Sequence, residues 1–214
     1  MRKTYAIRWA FYIVGLLLMA LGISLTIKGQ SLGISPWDVL HVSLFNLFGL
    51  TIGTWSILIG FLLILAVVIV EKRWPQIGTW LNIILIGSFI DFYNWILPTP
   101  ESLIGQTFFF VLGVIVMGIG AGTYVAPRVG AGPRDSIMMM IVDRTGAKLK
   151  VVRTSMEILV ALVGWLLGGP LGIGTVIIAL MLGQLVHYTL PYVQSLIEKW
   201  SGEPFDVRAK PGHK

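Results

Sequence analysis

The stretch LGISPWD occupies residues 32–38, and a related stretch, VGAGPRD, occupies residues 129–135. Both follow the pattern apolar, Gly, any residue, small, Pro, any residue, Asp. Gly33 corresponds to Gly130, so the offset between the two copies is 97 residues. Each copy follows a long apolar run and begins a short helical pattern. These stretches, named here the first and second Pro motifs, predict an internal duplication of the chain.

The composition is typical of a membrane protein. Of the 214 residues, 56% are hydrophobic and only 12% are charged, whereas a soluble domain carries about 25% charged residues. Several apolar runs reach the length of about 20 residues that spans a bilayer as a helix. The chain contains no Cys, which excludes disulfides, thiol nucleophiles and thiolate metal sites. We predict one integral membrane domain over residues 1–193 and a cytoplasmic tail over residues 194–214.

The apolar runs predict six spans separated by polar or Gly- and Pro-rich turns. They cover about residues 6–27, 54–70, 78–97, 104–125, 151–167 and 172–192. Each Pro motif also begins a shorter helix, over residues 36–48 and 132–145. A helix of 13 residues is roughly 20 Å long, whereas the hydrocarbon core is about 30 Å thick. We therefore predict that both short helices are re-entrant half-helices that do not cross the bilayer.

The basic residues fit this layout. If both short helices are re-entrant, 15 of the 16 Lys and Arg residues lie on the cytoplasmic side, and Lys28 alone lies outside. An excess of Lys and Arg inside is the usual determinant of orientation. Both termini are then cytoplasmic, and repeats over about residues 6–97 and 104–193 have three spans each. The predicted fold is an all-α membrane protein with two inverted three-helix repeats, an architecture typical of transporters with a site near the midplane.

The chemistry of the Pro motifs is suited to a binding site. Pro at the first helical position removes an N–H group that has no intrahelical partner, and Ser or Gly before it is an accepted N-cap. The remaining free N–H groups and the helix dipole favour negative charge. Two such helices that enter from opposite faces can point their N-termini at each other. The predicted substrate-binding residues are Ser35, Pro36, Trp37, Asp38, Gly132, Pro133, Arg134 and Asp135.

The charged and aromatic residues of the motifs have two interpretations each. Asp38 and Asp135 either cap their own helices, as an acid in the first turn does, or bind a co-transported cation or proton. Arg134 either contacts an anionic solute or forms a salt bridge with Asp135. Trp37, at the equivalent place in the first motif, is predicted to pack or to anchor at the interface.

Four further polar residues lie within apolar pattern and are candidates for a proton relay: His41, Asp91, Glu157 and His187. Asp91 and His187 lie near the ends of their spans, so a snorkelled or interfacial position is the favoured interpretation for these two. Glu157 lies four residues after Arg153, which predicts an ion pair on one helix face. The small-residue run from Gly113 to Gly122 predicts close helix packing. No metal, cofactor or enzyme motif is present, so the prediction is a protein that is not an enzyme and has no cofactor.

Four segments carry a resemblance to a known family. They are GISPWDVLH at residues 33–41, GLTIGTWS at 49–56, GAGPRD at 130–135 and GGPLGIGT at 168–175. Together they resemble the YczE-type membrane proteins, which are grouped loosely with the YyaS and YitT families. The resemblance covers nearly the whole chain and implies an integral protein of the bacterial cytoplasmic (inner) membrane. It implies no catalytic residues.

The leading functional hypothesis is a small secondary transporter or channel for a small polar solute, anions included, bound near the midplane between the two half-helices. The alternative is a non-transporting membrane partner that supports or regulates another enzyme or process. The expected partners are the lipid bilayer and the small solute, with no role for nucleic acid. A homo-oligomer is compatible with the sequence.

Overall fold

The computed structural model describes residues 2–202, and within that range the regular structure is entirely helical. Eight α-helices and one 3-10 turn, Gln30–Leu32, follow each other in this part of the chain. The helices are α1 (Arg2–Lys28), α2 (Pro36–Phe48), α3 (Ile52–Glu71), α4 (Ile77–Ile96), α5 (Leu103–Val125), α6 (Pro133–Thr145), α7 (Leu149–Leu166) and α8 (Ile173–Ser201). The predicted all-α class is therefore confirmed.

Four helices of the described range are long and apolar enough to cross a membrane: Lys3–Lys28, Ile52–Glu71, Leu103–Val125 and Ile173–Ser201. The other two predicted spans form as α4 and α7, with 20 and 18 residues. Both carry polar residues within their apolar runs. Helix α4 carries Asn82, Asp91 and Asn94, and α7 carries three charged residues between positions 150 and 157.

The two short helices form at the predicted positions. Each has 13 residues and begins at the Pro of its motif. Each is followed by a Gly with positive φ, 72° at Gly49 and 68° at Gly146. Pro at the start and Gly after the end are the residues that favour these boundaries, because Pro has helical φ built in and Gly adopts positive φ without strain.

Helix α8 is longer than its predicted span. It continues past Tyr192 to Ser201, with Pro191 in its interior. Residues 194–201, assigned from the sequence to the tail, are thus helical and continuous with the predicted span. Val193 and Ile197 are buried against Ala126, and this spacing of four residues keeps one apolar face of the helix packed.

Helices α1 and α5 form the centre of the structure and run antiparallel. A Cβ at Gly15 of α1 would collide with Tyr124 of α5, and a Cβ at Gly22 would collide with Met117. Later residues of α1 therefore meet earlier residues of α5. A Cβ at Gly113 would lie 2.8 Å from the carbonyl oxygen of Gly22. The backbones therefore touch, as the small-residue run predicted, and glycine is required because a side chain would separate the helices.

Several contacts of the remaining helices occur in equivalent pairs, and those of α2 with α7 and of α6 with α3 join the two halves of the chain. Helix α1 packs on α4 as α5 packs on α8, and α2 packs on α7 as α6 packs on α3. The Pro motifs repeat this exchange: Gly33 lies against Gly172 at the start of α8, and Gly130 lies against Gly78 at the start of α4. Each half therefore holds the Pro motif of the other half in place.

The close contact of α1 with α5 makes a testable prediction for Gly113→Ala. The added methyl group would meet the backbone of Gly22 and Thr26, which cannot move aside. Overpacking of this kind costs about 1–3 kcal/mol, so we expect a lower midpoint in thermal unfolding of the purified protein in detergent. The control is Gly183→Ala on α8, where the nearest atom is the flexible end of Arg153 at 3.7 Å. Equal midpoints for the two variants would contradict this packing.

Candidate functional site

The two Pro motifs meet at one cavity of about 190 Å³. Its walls come from residues that lie about a hundred positions apart in the sequence. The motif residues on its surface are Ser35, Pro36, Trp37, Gly132, Pro133, Arg134 and Asp135, and the other polar residues are His41, Ser56, Asn82, Tyr124, Arg153 and Glu157. The structure thus brings seven of the eight predicted substrate-binding residues to one surface. The eighth, Asp38, lies directly behind it.

Asp38 is completely buried and is held by side chains from both halves of the chain. The Ser35 hydroxyl donates a hydrogen bond to Oδ2 at 2.6 Å, and His41 Nδ1 lies 3.3 Å from Oδ1. Nη2 of Arg134 lies 4.0 Å from the same Oδ1. Within residues 2–202, Ser35 makes no side-chain cap bond to its own helix. Its hydroxyl serves the carboxylate instead.

Arg134 extends across the cavity to the first Pro motif. Its guanidinium carbon lies 4.8 Å from the centroid of the Trp37 ring, a cation–π contact. Its ion pair is formed with Asp38 rather than with Asp135, the salt-bridge partner weighed from the sequence. Trp37 and Arg134 occupy equivalent positions in the two motifs, so the equivalent side chains of the duplicated sequence contact each other.

Asp135 is bound on the other side of the cavity. The Tyr124 hydroxyl donates a hydrogen bond to its Oδ2 at 2.9 Å. A Cβ at Gly132 would lie 3.1 Å from the Tyr124 oxygen and 3.6 Å from Oδ1 of Asn82. The missing side chain at Gly132 therefore leaves room for a polar group between these oxygens.

Sequence reasoning missed Asn82 and Tyr124 as cavity residues. A buried amide inside an apolar span is a signal that could have identified Asn82, because such groups need a polar partner. Nothing in the sequence distinguishes Tyr124 from an aromatic residue that anchors the end of a span. Its role depends on the packing of α5 against the second Pro motif.

The four proton-relay candidates separate into two groups. His41 and Glu157 line the cavity, and Glu157 forms the predicted ion pair with Arg153 at 3.0 Å. Asp91 belongs to α4, and its side chain lies away from the cavity, against the start of α3. There it accepts hydrogen bonds from the Gly53 N–H at 2.7 Å and the Thr51 hydroxyl at 2.5 Å. His187 is exposed and packs edge-on against the next residue along the chain. The structure therefore brings His41 and Glu157, but not the other two, to the Pro motifs.

The charged groups of the cavity differ in how fully they are paired. Glu157 and Arg153 neutralise each other, and Asp135 is bonded to Tyr124. Within residues 2–202, the only carboxylate oxygen within 4.0 Å of the Arg134 guanidinium is Oδ1 of Asp38, at 4.0 Å. A charge-assisted N–H···O bond is usually about 2.7–2.9 Å. Arg134 therefore has unused hydrogen-bonding capacity, and its side chain is 27% exposed.

The hydrogen bond from Ser35 to Asp38 makes a prediction for Ser35→Ala. It is buried and has a charged acceptor, and such bonds contribute about 1.5–3 kcal/mol. We expect a clear loss of thermal stability in detergent. The matched control is Ser43→Ala on α2, since Ser43 is buried too but donates to a neutral carbonyl, that of Leu40. If the two substitutions cost the same, the Ser35 hydroxyl is not needed by the carboxylate.

Comparison with known proteins identifies relatives of this chain. The chain is 47% identical over 191 residues to the "Uncharacterized membrane protein YczE" of Bacillus subtilis, and the matched residues make up 89% of each protein. It is 38% identical over 170 residues to an "Uncharacterized protein" of Haemophilus influenzae, covering 78% of this chain and 76% of the relative. It is 30% identical over 190 residues to the "Uncharacterized protein YyaS" of Bacillus subtilis, covering 87% of this chain and 94% of the relative.

The family match covers most of the chain. Residues 6–191 match the "Family of unknown function (DUF6198)". No solved structure matches the chain. The matched residues include both Pro motifs and every residue that lines the cavity, and the predicted resemblance to YczE-type proteins is confirmed. The chain belongs to this YczE-type family of membrane proteins.

Proposed function

We propose that this membrane protein is a small secondary transporter that binds a small polar solute in the cavity between its two Pro motifs. The observation that carries the proposal is the meeting of both motifs, 97 residues apart in the sequence, on one cavity with a bridging Arg134–Asp38 contact. Charged side chains in the interior of a membrane protein are costly and are usually retained for function.

The architecture that suits this function is a pair of inverted repeats in the cytoplasmic membrane, with six spans, two re-entrant half-helices and both termini inside. Three observations support it. The first helices of the two halves, α1 and α5, run antiparallel. Several contacts of the remaining helices repeat with the halves exchanged, such as α2 on α7 and α6 on α3. The Lys and Arg residues lie almost entirely on the side that this topology assigns to the cytoplasm.

The short helices are suited to a site at membrane depth. Irregular backbone is tolerated there only where it is buried in protein or lines a cavity. The segment before α2 meets this condition, because residues 33–39 are all buried. The first turns of α2 and α6 supply the motif residues of the cavity wall, so both helix N-termini lie close to the solute.

The two half-helices differ in how firmly they are held. Seven residues of α2 are buried, from Pro36 to Ser43, whereas no residue of α6 is. Elements that move in a functional cycle come from the less stable parts of a structure. We therefore assign the opening movement to α6, which carries Arg134 and Asp135, and a fixed role to α2.

The transporter proposal predicts that water and small solutes enter the cavity. The chain has no Cys, so single cysteines can be labelled with a membrane-impermeant thiol reagent in right-side-out and inverted vesicles. Ser56→Cys introduces a thiol on the cavity wall. We expect it to react from both sides of the membrane, because a transporter exposes its site to each side in turn.

Three further cysteines serve as controls for this labelling. Ser43→Cys is fully buried away from the cavity and should stay unlabelled. Positions 30 and 146 are exposed and lie on opposite sides of the membrane in the proposed topology. Gln30→Cys should therefore label only from outside, and Gly146→Cys only from inside. If Ser56→Cys stays inert while both exposed cysteines react, the cavity is closed. The role of a non-transporting membrane partner would then replace the transporter.

A further inference from the structure

The contact between Arg134 and Asp38 is one that a solute can replace. Asp38 is inaccessible, whereas the Arg134 side chain is 27% exposed and lines the cavity. The two groups are 4.0 Å apart, which is an ion pair without a close hydrogen bond. The cation–π contact with Trp37 supports the guanidinium without using its N–H donors.

The exposed N–H donors of Arg134 favour an anion at this position. The two carboxylates on the cavity surface already have partners: Asp135 accepts a hydrogen bond from Tyr124, and Glu157 forms an ion pair with Arg153. A cationic solute would have to share one of these carboxylates with the group that already contacts it. An anion needs only to take the place of a carboxylate that is 4.0 Å from Arg134.

An anion that takes over Arg134 leaves Asp38 without its positive partner. A buried, uncompensated carboxylate is strongly unfavourable, and such groups bind a proton or a cation instead. His41 is the adjacent group that can respond, since its Nδ1 already lies 3.3 Å from the Asp38 carboxylate. His41 is buried and lines the cavity, so we route the proton through the cavity.

Resting on the proposed function, we propose that the solute is a small monovalent anion that replaces Asp38 on Arg134, and that the His41–Asp38 pair takes up one proton as the anion binds. Before binding, the charges of Arg134 and Asp38 cancel. After binding, the anion cancels Arg134, and the proton converts His41 into an imidazolium that cancels Asp38. The proton comes from the aqueous phase, and the charge of the buried groups is unchanged. Anion and proton therefore cross the membrane together without net charge.

The other ionisable groups around the pair do not share this exchange. Helix α6 contributes Asp135, α5 contributes Tyr124, and α7 contributes Arg153 and Glu157. Asp135 keeps its bond to Tyr124, and Arg153 keeps its bond to Glu157, when Arg134 changes partner. Asp38 is the one carboxylate of the described residues within 4.0 Å of Arg134, which is why the proton is assigned to His41 and Asp38.

The test is calorimetric titration of the purified full-length protein in detergent at neutral pH with sodium formate, acetate and nitrate, over a sodium gluconate background. Each titration is repeated in buffers that differ in ionisation enthalpy, which gives the number of protons taken up on binding. For the wild type we expect at least one of these anions to bind with uptake of about one proton. Binding without proton uptake would overturn the coupling. The absence of binding by all three would overturn the anion assignment.

The Asp38→Asn variant separates this exchange from a structural role. With no carboxylate to compete for Arg134, the same anion should bind about tenfold more tightly, which is within the usual range of coupling between sites. Proton uptake should fall to zero. Asp143→Asn, an exposed change of the same kind on α6, should behave as the wild type. Weaker anion binding in a monodisperse Asp38→Asn protein would contradict the exchange.

The outcomes of this titration are independent of the proposed function itself. If the Ser56→Cys thiol is accessible from both sides but none of the anions binds, the transporter remains and its solute is of another class. If that thiol is inert, the transporter fails whatever the calorimeter shows.

Discussion

The carboxylate of Asp38 is fully buried, and the guanidinium that faces it comes from the other half of the chain. A charge in the interior of a membrane protein must be compensated there, because neither lipid nor bulk water can do so. This requirement keeps the two Pro motifs together. Ser35 and His41 share the carboxylate from the same helix, and Trp37 supports the Arg134 guanidinium from the face of its ring.

The scaffold positions this contact through backbone packing rather than through large side chains. Glycines let α1 and α5 touch along their length, and Gly33 and Gly130 rest on the first turns of α8 and α4. Because each half holds the Pro motif of the other, the cavity forms only when both halves are assembled. The buried α2 and the more exposed α6 then present the same motif in two different environments.

Much of the fold was predictable from local pattern. Pro36 and Pro133 start their helices, Gly49 and Gly146 follow their ends, and the apolar runs become the long helices. These features depend on a few neighbouring residues and are therefore visible in the sequence. The length of α8 was not, because a Pro at position 191 ordinarily signals an end, and the packing of Ile197 outweighs it.

The candidate site was predictable as a set of residues but not as a set of contacts. The repeat identified the motif residues, yet it favoured pairs within each motif, such as Arg134 with Asp135. The structure pairs Arg134 with Asp38 because α6 packs on α3 and α2 packs on α7, and such long-range packing has no local signal. The same cause separates two of the proton-relay candidates, because His41 lines the cavity and Asp91 does not. Equivalent polar residues in a sequence do not reveal which helices become neighbours.

The most direct measurement of the contact on which this structure depends is a double-mutant cycle between Asp38 and Arg134. It compares the free energies of unfolding in detergent of the wild type, Asp38→Asn, Arg134→Gln and the double variant. Arg134→Gln leaves a buried carboxylate uncompensated, and we expect it to cost about 3–5 kcal/mol and more than Asp38→Asn. The double variant should cost less than the two single losses combined, by about 1 kcal/mol or more. Additive losses, within about 0.5 kcal/mol, would show that the two groups do not interact and would contradict the joining of the Pro motifs at one site.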